Sequence, residues 1–375
     1  MALATERRRA PSGARALIGW LHIDLSLLLG LLVLSAVGLL VLYSASGENL
    51  ALVQRQTMRL GLGFFLMLII AQISPEVMRR WSPWAYLGGL LLLIGVLLFG
   101  DTGKGAQRWL DFGLLRLQPS ELVKLAVPMM LARLLSDAPL PPRLGRQALA
   151  LVLLVIPVVL IFRQPDLGTA LLVAVAGIFV LFLAGMQWRL ILGGIALVAA
   201  AAPAAWHWLL HDYQRDRVRT FLDPESDPLG TGYHIIQSKI AIGSGGSFGK
   251  GWLNGTQSQL DFLPERHTDF IFAVFGEEFG LVGAAVLLVL YLSLVGRGLV
   301  IAASAQSSYA RLLAGAVSLT FFVYLFVNVG MVTGLLPVVG VPLPLVSYGG
   351  TSMVTLLMGF GILMSVQSHR HLLRR

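Results

Sequence analysis

The sequence predicts an all-α, polytopic membrane protein of about ten transmembrane helices, with a long extracytoplasmic loop between helices 7 and 8. Three observations carry this. The 375 residues are 56% hydrophobic and only 13% charged, with a mean hydropathy of +0.78. The apolar residues fall in runs near the ~20 residues that cross a bilayer, separated by short polar breaks. The arginines are concentrated in alternate breaks, as cytoplasmic segments require.

The spans are expected at 23–43, 57–73, 82–100, 119–135, 147–162, 167–185, 188–210, 269–296, 309–331 and 351–367, as a single integral membrane domain over 1–375. Residues 1–22 read as a cytoplasmic tail. Arg7, Arg8, Arg9 and Arg15 precede a first apolar run too long for a signal peptide, so it is read as a retained helix. Arg79, Arg80, Arg133, Arg143, Arg146, Arg189, Arg297, Arg311, Arg370, Arg374 and Arg375 fall on the same side, which places both termini in the cytoplasm. Cysteine is absent, which excludes a disulfide framework and thiol chemistry. The net charge of +9 is accounted for by orientation and gives no reason to expect nucleic acid.

Three outer segments stand out. Residues 101–118 are polar and Gly-rich. Residues 211–268 form the longest connection, read as short helices and turns on the outer surface; loops of this length are usually functional or disordered. Residues 332–350 are apolar but rich in Pro and Gly, which is incompatible with an ordinary helix. Irregular backbone at membrane depth must be covered by protein or line a cavity, so a re-entrant or surface-lying loop is expected.

Charged residues in apolar runs are the candidates for chemistry, because intramembrane charge is costly. Asp269 opens span eight, and on an uninterrupted helix Glu277 and Glu278 lie roughly 12–14 Å deeper. Asp269 is either a helix cap or part of a reactive centre. The Glu pair either holds the bundle together by binding a helix terminus or a buried Arg, or is functional. Glu121 and Lys124 share a face of span four three residues apart, as a structural ion pair or as a cation presented to an anionic ligand. Lys104, Arg108, Arg215, Arg217, Arg219, Lys239 and Lys250 make the outer segments electropositive, although any one of them alone reads as a solvated loop residue. "GSGGSFGKG" (243–251) is not a P-loop, since position 244 is Ser and no Ser or Thr follows Lys250; its glycines read as turn formers. Gly276 and Gly280 form a GxxxG pair that hints at close helix packing.

At these residues the chain resembles the SEDS family (shape, elongation, division and sporulation). "GTQSQLDFLPERHTDFIFAVFGEEFG" and "NVGMVTGLLPVVGVPLPLVSYGGTS" are similar to its two most distinctive segments, and "KGAQRWLDFGLLRLQPSELVK" to a third. In the second, Asn328, Gly334, Pro337, Gly340 and the "SYGGTS" beginning at Ser347 stand at the family's spacing. "IAIGSGGSFGKGW" followed by "GTQSQLDFLPERHTDF" favours the elongation branch over the division branch. The resemblance covers almost the whole chain.

The resemblance implies a peptidoglycan glycosyltransferase that polymerises lipid II at the outer face of the bacterial inner membrane. The family's essential acid matches Asp269, and its functionally important Glu and Lys match Glu121 and Lys124. Lys104, Arg108, Arg215, Arg219, Lys239 and Ser347 are the expected substrate-binding residues. The implied partner is a class B penicillin-binding protein, and the implied cofactor a divalent cation, Mg2+ or Mn2+, with no ligand set legible. The chemistry agrees: an inverting displacement on a sugar pyrophosphate needs a base for the acceptor hydroxyl and cations for the leaving group. The competing reading is a lipid II flippase, whose polar pathway would have to reach both leaflets. The clustering of charge at the outer end argues against it. A non-catalytic scaffold does not require Asp269.

Overall fold

The computed structural model describes residues 22–103, 106–111, 116–208, 212–227, 230–260, 262–263 and 265–369. Ten helices stand where the ten spans are expected. They are α1 (Leu25–Ala45), α2 (Leu50–Gln72), α3 (Pro75–Phe99), α4 (Pro119–Ser136), α5 (Leu144–Arg163), α6 (Leu167–Leu183), α7 (Trp188–Trp208), α11 (Ile271–Ala303), α12 (Ser308–Val332) and α13 (Thr351–Ser368). Among the described residues, α1, α3, α5, α11, α12 and α13 are each long and apolar enough to cross a membrane. The chain is therefore a multi-pass helical membrane protein. Most of the 1–22 tail and the last residues of the chain lie outside the described residues.

Side chains settle where the helices stop and bend. Asp24, Asn49 and Ser74 cap α1, α2 and α3 by accepting the N–H groups of the first turn, which have no partner inside the helix. A helical Pro strands the carbonyl four residues back, and two of these carbonyls have found donors. Pro83 leaves Arg79 O, which accepts from the Arg133 guanidinium at 3.2 Å. Pro157 leaves Leu153 O, which accepts from Tyr86 Oη at 2.7 Å. Arg297 bounds the eighth run in the sequence, yet α11 continues to Ala303. The reason is that Asp24, at the foot of α1, takes the Arg297 guanidinium at 2.5 Å.

The packing has two large apolar clusters and a small one. One gathers α1, α2, α11, α12 and α13; the second gathers α3, α4, α5, α6 and α12; the small one joins Leu172 of α6 and Tyr324 and Val327 of α12 to Val341. Helix α12 contributes to all three and is the enclosed centre of the bundle. Within the polar, Gly-rich segment 101–118, the described residues form a small antiparallel sheet of β1 (Asp101–Gly103), β2 (Ala106–Asp111) and β3 (Arg116–Leu117) in the order β1-β2-β3. Its strands are too short for hydrophobic alternation to reveal.

The long connection carries α8 (Asp212–Leu222), a 3-10 turn (Pro224–Ser226), α9 (Thr231–Ser244) and the one-turn α10 (Thr256–Gln259). It does not merely lie on the surface. Helix α11 is broken at Gly280, where φ is 65° and ψ is −166°, a conformation open essentially to glycine alone. The break strands backbone groups on both sides, and the Gly-rich stretch supplies them. Lys250 N and Gly251 N donate to Glu277 O and Glu278 O, each at 3.0 Å, while Leu281 N and Val282 N donate to Gly246 O and Ser247 O at 3.0 and 3.1 Å. The Gly249 backbone lies against Glu278 O so closely that a Cβ would collide with it. The GxxxG pair therefore has two uses: Gly276 lies close against Ile242 of α9, and Gly280 admits the loop spliced into α11.

The 332–350 segment is irregular and packs into the bundle. It has no helix between Val332 and Thr351, and Val338, Val341, Leu343, Leu345, Val346 and Ser347 are buried. The Leu345 carbonyl lies against Gly38 in α1, and Tyr291 Oη of α11 donates to Pro344 O at 2.5 Å.

Candidate active site

The "QPSELVK" run starts α4 with Pro119 in its first turn, a position that needs no N–H donor. The next turn carries Glu121 and Lys124, whose side chains are only 7% and 6% exposed and meet at 2.7 Å. The same ammonium donates to Tyr324 Oη of α12, also at 2.7 Å. An ammonium has three donors and a carboxylate about four acceptor sites, so this pair is not saturated. Glu121 Oε2 is buried without a hydrogen-bond partner among the described residues. Lys124, Pro128, Thr320, Tyr324 and Thr355 border a small cavity of about 30 Å³ between α4, α12 and α13.

Asp269 lies in the 265–270 turn that precedes α11. The helix begins at Ile271 with Phe270 at its cap position and no side-chain cap. Asp269 is therefore not the N-cap, and the depth expected on an uninterrupted helix from Asp269 to Glu277 does not apply. What holds Asp269 is its backbone. Asn328 Nδ2 donates to Asp269 O and to Val341 O, both at 2.8 Å. One and two residues earlier, Thr268 O accepts from Ser347 Oγ at 2.6 Å and His267 O from Tyr348 N at 2.8 Å. Ser347 Oγ accepts in turn from Leu343 N at 2.8 Å, and Gln56 Nε2 donates to Ser347 O at 3.1 Å. Gly340, at φ +77°, brings its backbone to the acid: a Cβ there would lie 3.5 Å from Asp269 Oδ2. The carboxylate is partly exposed, and the chain behind it from Phe270 to Phe275 is buried.

Helix α12 joins the two halves. Tyr324, which holds Lys124, and Asn328, which holds Asp269, are one turn apart on it and share a face. The acid and the ammonium are thus referred to a single rigid element.

Glu277 behaves differently. Its carboxylate is fully buried. Oε1 accepts from Lys250 Nζ at 2.7 Å, Thr256 Oγ1 at 3.1 Å and Gln257 N at 2.9 Å, and Oε2 accepts from Ser258 N at 3.3 Å. It therefore ties the outer connection to the bundle, as the helix-terminus reading of the Glu pair expects. Glu278 accepts from Ser44 Oγ of α1. The Arg266 guanidinium donates to Ser258 O.

The expected substrate-binding cations are dispersed. Arg108 is turned to the α5–α6 junction, donating to Pro165 O at 2.5 Å and lying 3.8 Å from Asp166. Arg215 donates to Trp206 O and His207 O at the end of α7, at 2.8 and 3.1 Å. Arg219 is exposed beside Asp216 at 3.3 Å. The Lys239 side chain crosses over Gly334, its Nζ 2.7 Å from where a Cβ would stand. Lys104 and Asp261 lie outside the described residues. The Ser347 hydroxyl serves the scaffold, donating and accepting within it. Sequence reasoning did not single out Tyr324, Gln56 or Arg59, whose guanidinium sits 4.8 Å over the Tyr348 ring. Their partners are remote in the chain, so no local signal marks them.

A partly exposed carboxylate beside a glycine backbone, with a buried ammonium referred to the same helix, can accept a proton and stabilise an anion. Among the described residues no three His, Asp or Glu side chains gather as a metal cage. Mg2+ is commonly held by one or two carboxylates together with substrate phosphates, and Asp269 is a carboxylate of the type that would suit such a site.

A family profile for the cell cycle proteins FtsW, RodA and SpoVE matches residues 17–372. The peptidoglycan glycosyltransferase MrdB of Escherichia coli K12 is 56% identical over 354 residues, 94% of this chain and 96% of that protein. A probable peptidoglycan glycosyltransferase FtsW of Geobacter metallireducens is 38% identical, over 92% and 94% of the two chains. Among solved structures, a chain from a study of how a peptidoglycan synthase complex coordinates polymerization and crosslinking aligns with a TM-score of 0.81 at 36% identity. That alignment covers 93% of this chain and 98% of that one. The crystal structure of the Thermus thermophilus rod shape determining protein RodA aligns at 0.72 with 32% identity, over 94% and 99%.

Proposed function

The chain belongs to the SEDS family of FtsW, RodA and SpoVE and is a peptidoglycan glycosyltransferase, and from that premise we propose that it polymerises lipid II during cell elongation with Asp269 as general base. The observation that carries the proposal is the backbone clamp on residues 267–269, which fixes the position of a partly exposed carboxylate without using the carboxylate itself as a cap. Asp269 takes the proton of the acceptor sugar hydroxyl. The hydroxyl oxygen forms a bond to the anomeric carbon of the donor as that carbon's bond to pyrophosphate breaks. The α-linked donor thus becomes a β-linked product in one inverting step. A positioned base contributes about 10²–10⁴-fold.

Lys124, held by Glu121 and Tyr324, supplies positive charge toward the departing undecaprenyl pyrophosphate, and the outer-segment cations Lys104, Arg108, Arg215, Arg219 and Lys239 extend that field. A divalent cation, which the resemblance implies, would neutralise phosphate charge on the leaving group when bound. The site lies at the outer face of the bacterial inner membrane, with ten spans and both termini in the cytoplasm. The partner is a class B penicillin-binding protein, whose transpeptidase crosslinks the strands; the structural similarity to a chain of a peptidoglycan synthase complex supports this.

The test is incubation of the purified protein, with and without that partner, with lipid II and a titration of Mg2+. Glycan polymer is the expected product. Movement of lipid II across vesicles without polymer would instead establish the flippase. Topology is checked with a single Cys at the exposed Phe248, which should react with a reagent confined to the outside.

A further inference from the structure

We propose that Tyr324 is a positioning residue for Lys124, setting the distance between that ammonium and Asp269. This rests on the role given to Lys124 above. Glu121 alone cannot fix Lys124, because it sits on the same helix three residues away and moves with it. A lysine stem is flexible and carries about 2 kcal/mol of rotamer entropy, and several of its rotamers reach an i−3 carboxylate. A second contact from another helix removes that freedom. Tyr324 Oη accepts from Lys124 Nζ at 2.7 Å, from a residue only 1% exposed on the enclosed helix α12. Tyrosine suits the task, since its hydroxyl stands at the end of a rigid ring whose few torsions are locked by burial. One turn further along the same face, Asn328 holds the Asp269 carbonyl at 2.8 Å. The spacing of Tyr324 and Asn328 on a helix is fixed by the 1.5 Å rise per residue. It therefore transmits a fixed separation to the ammonium and the acid. A centre that needs a base at one end of the reacting bond and a cation at the other is sensitive to that separation. A misplacement of about 1 Å can cost about 10²-fold in rate.

Tyr324→Phe removes one oxygen and leaves the buried ring. The experiment measures lipid II polymerisation by the full-length protein with its transpeptidase partner, together with the thermal midpoint in detergent. It also uses ¹⁵N-lysine NMR, where only four lysines exist, at 104, 124, 239 and 250, so that Lys124→Met assigns the Lys124 signal. The expected result for Tyr324→Phe is a kcat lowered about ten- to a hundredfold, with KM within about twofold and the midpoint unchanged. The Lys124 signal shifts and broadens while the other lysines stay in place. Normal turnover in Tyr324→Phe beside an inactive Lys124→Met would overturn the positioning role and leave that of Lys124 standing. Normal turnover in Lys124→Met would remove both. Lost activity with an unmoved Lys124 signal also overturns the proposal, because Tyr324 would then act only through packing. Should Tyr324→Phe fail to fold, 3-fluorotyrosine at 324 keeps the ring and weakens the acceptor. An intermediate kcat then supports the proposal, and a normal one overturns it.

Discussion

Two lysine–glutamate pairs in this molecule, each with a buried carboxylate, have the same 2.7 Å separation and different uses. Lys250 and Glu277 are 27 residues apart and join the outer connection to α11. Lys124 and Glu121 share one turn of α4. The Glu277 carboxylate is saturated, taking three side-chain donors, from Lys250, Thr256 and Ser244, and two backbone N–H groups. In the Glu121 pair one oxygen has no partner among the described residues, and the ammonium leans on a tyrosine from another helix. A saturated buried pair has nothing left to offer a ligand, so its value is conformational. An unsaturated one carries an unmet demand that costs stability and is retained where something must bind. The number of donors and acceptors left over, not the distance, separates the two.

Four experiments break or sharpen this contrast. The largest effect is expected at the base that the open pair serves. Asp269→Asn should lower polymerisation by about 10²–10⁴-fold, with an unchanged thermal midpoint, since Asp269 caps no helix. Activity restored to Asp269→Asn by excess Mg2+ would make Asp269 a metal ligand instead. Next, Glu121→Gln/Lys124→Met removes both charges of the open pair and nearly preserves shape. It should lower polymerisation about 10²-fold and leave the midpoint close to that of the parent, because hydrophobic replacement of buried ion pairs is often near neutral. The same exchange at the saturated pair, Glu277→Gln/Lys250→Met, should do the reverse. The midpoint falls and the 245–260 stretch opens to protease, at a cost of about 1–3 kcal/mol, while most polymerisation per folded molecule survives. If the two double variants behave alike, the contrast is wrong.

The smallest effect belongs to a third ion pair, Asp24 with Arg297 at the foot of α1. Burial pushes the Asp24 carboxyl up, but hydrogen bonds from Arg297, Ser26 and the Leu27 N–H outweigh it and hold the carboxyl below its ordinary 3.8. A depressed carboxyl pKa contributes stability above the unfolded value and loses it as pH falls through the folded one. Detergent-solubilised protein should therefore lose a small increment of stability below about pH 3.8, and Asp24→Asn should lack that increment at neutral pH.

The ten helices were legible because bilayer length and arginine asymmetry are local signals. Glu121 with Lys124 was legible from a three-residue spacing, and Asp269 from its place at the head of an apolar run. What the sequence concealed is carried by remote pairs. Tyr324 meets Lys124 across 200 positions, and Gln56 meets Ser347 across 291. A tyrosine or glutamine in an apolar run reads as core in either case. The role of Glu277 was concealed for the same reason. Until α10 is placed against it, a buried glutamate and a Gly-rich loop are two unrelated oddities. Asp269 was read as a possible cap because Asp commonly is one, and only the start of α11 at Ile271 decides otherwise.

Gly280 divides α11 into parts with separate duties. The stretch from Leu281 to Ala303 is about 23 residues, or roughly 34 Å, which already matches a hydrocarbon layer of about 30 Å. Residues 271–279 are thus surplus to spanning. Hydrophobic matching places no demand on their tilt, length or polarity, which is why two adjacent glutamates can sit there at all. The bilayer anchors the lower rod, and the upper one answers to the protein around it: the Gly-rich splice, the polar scaffold above it and the apolar core that its side chains enter. Insertions that lengthen the lower rod should be resisted by membrane thickness, whereas changes in the upper rod should be resisted by its buried side chains from Ile271 to Glu278 and by its backbone partners at 246–251.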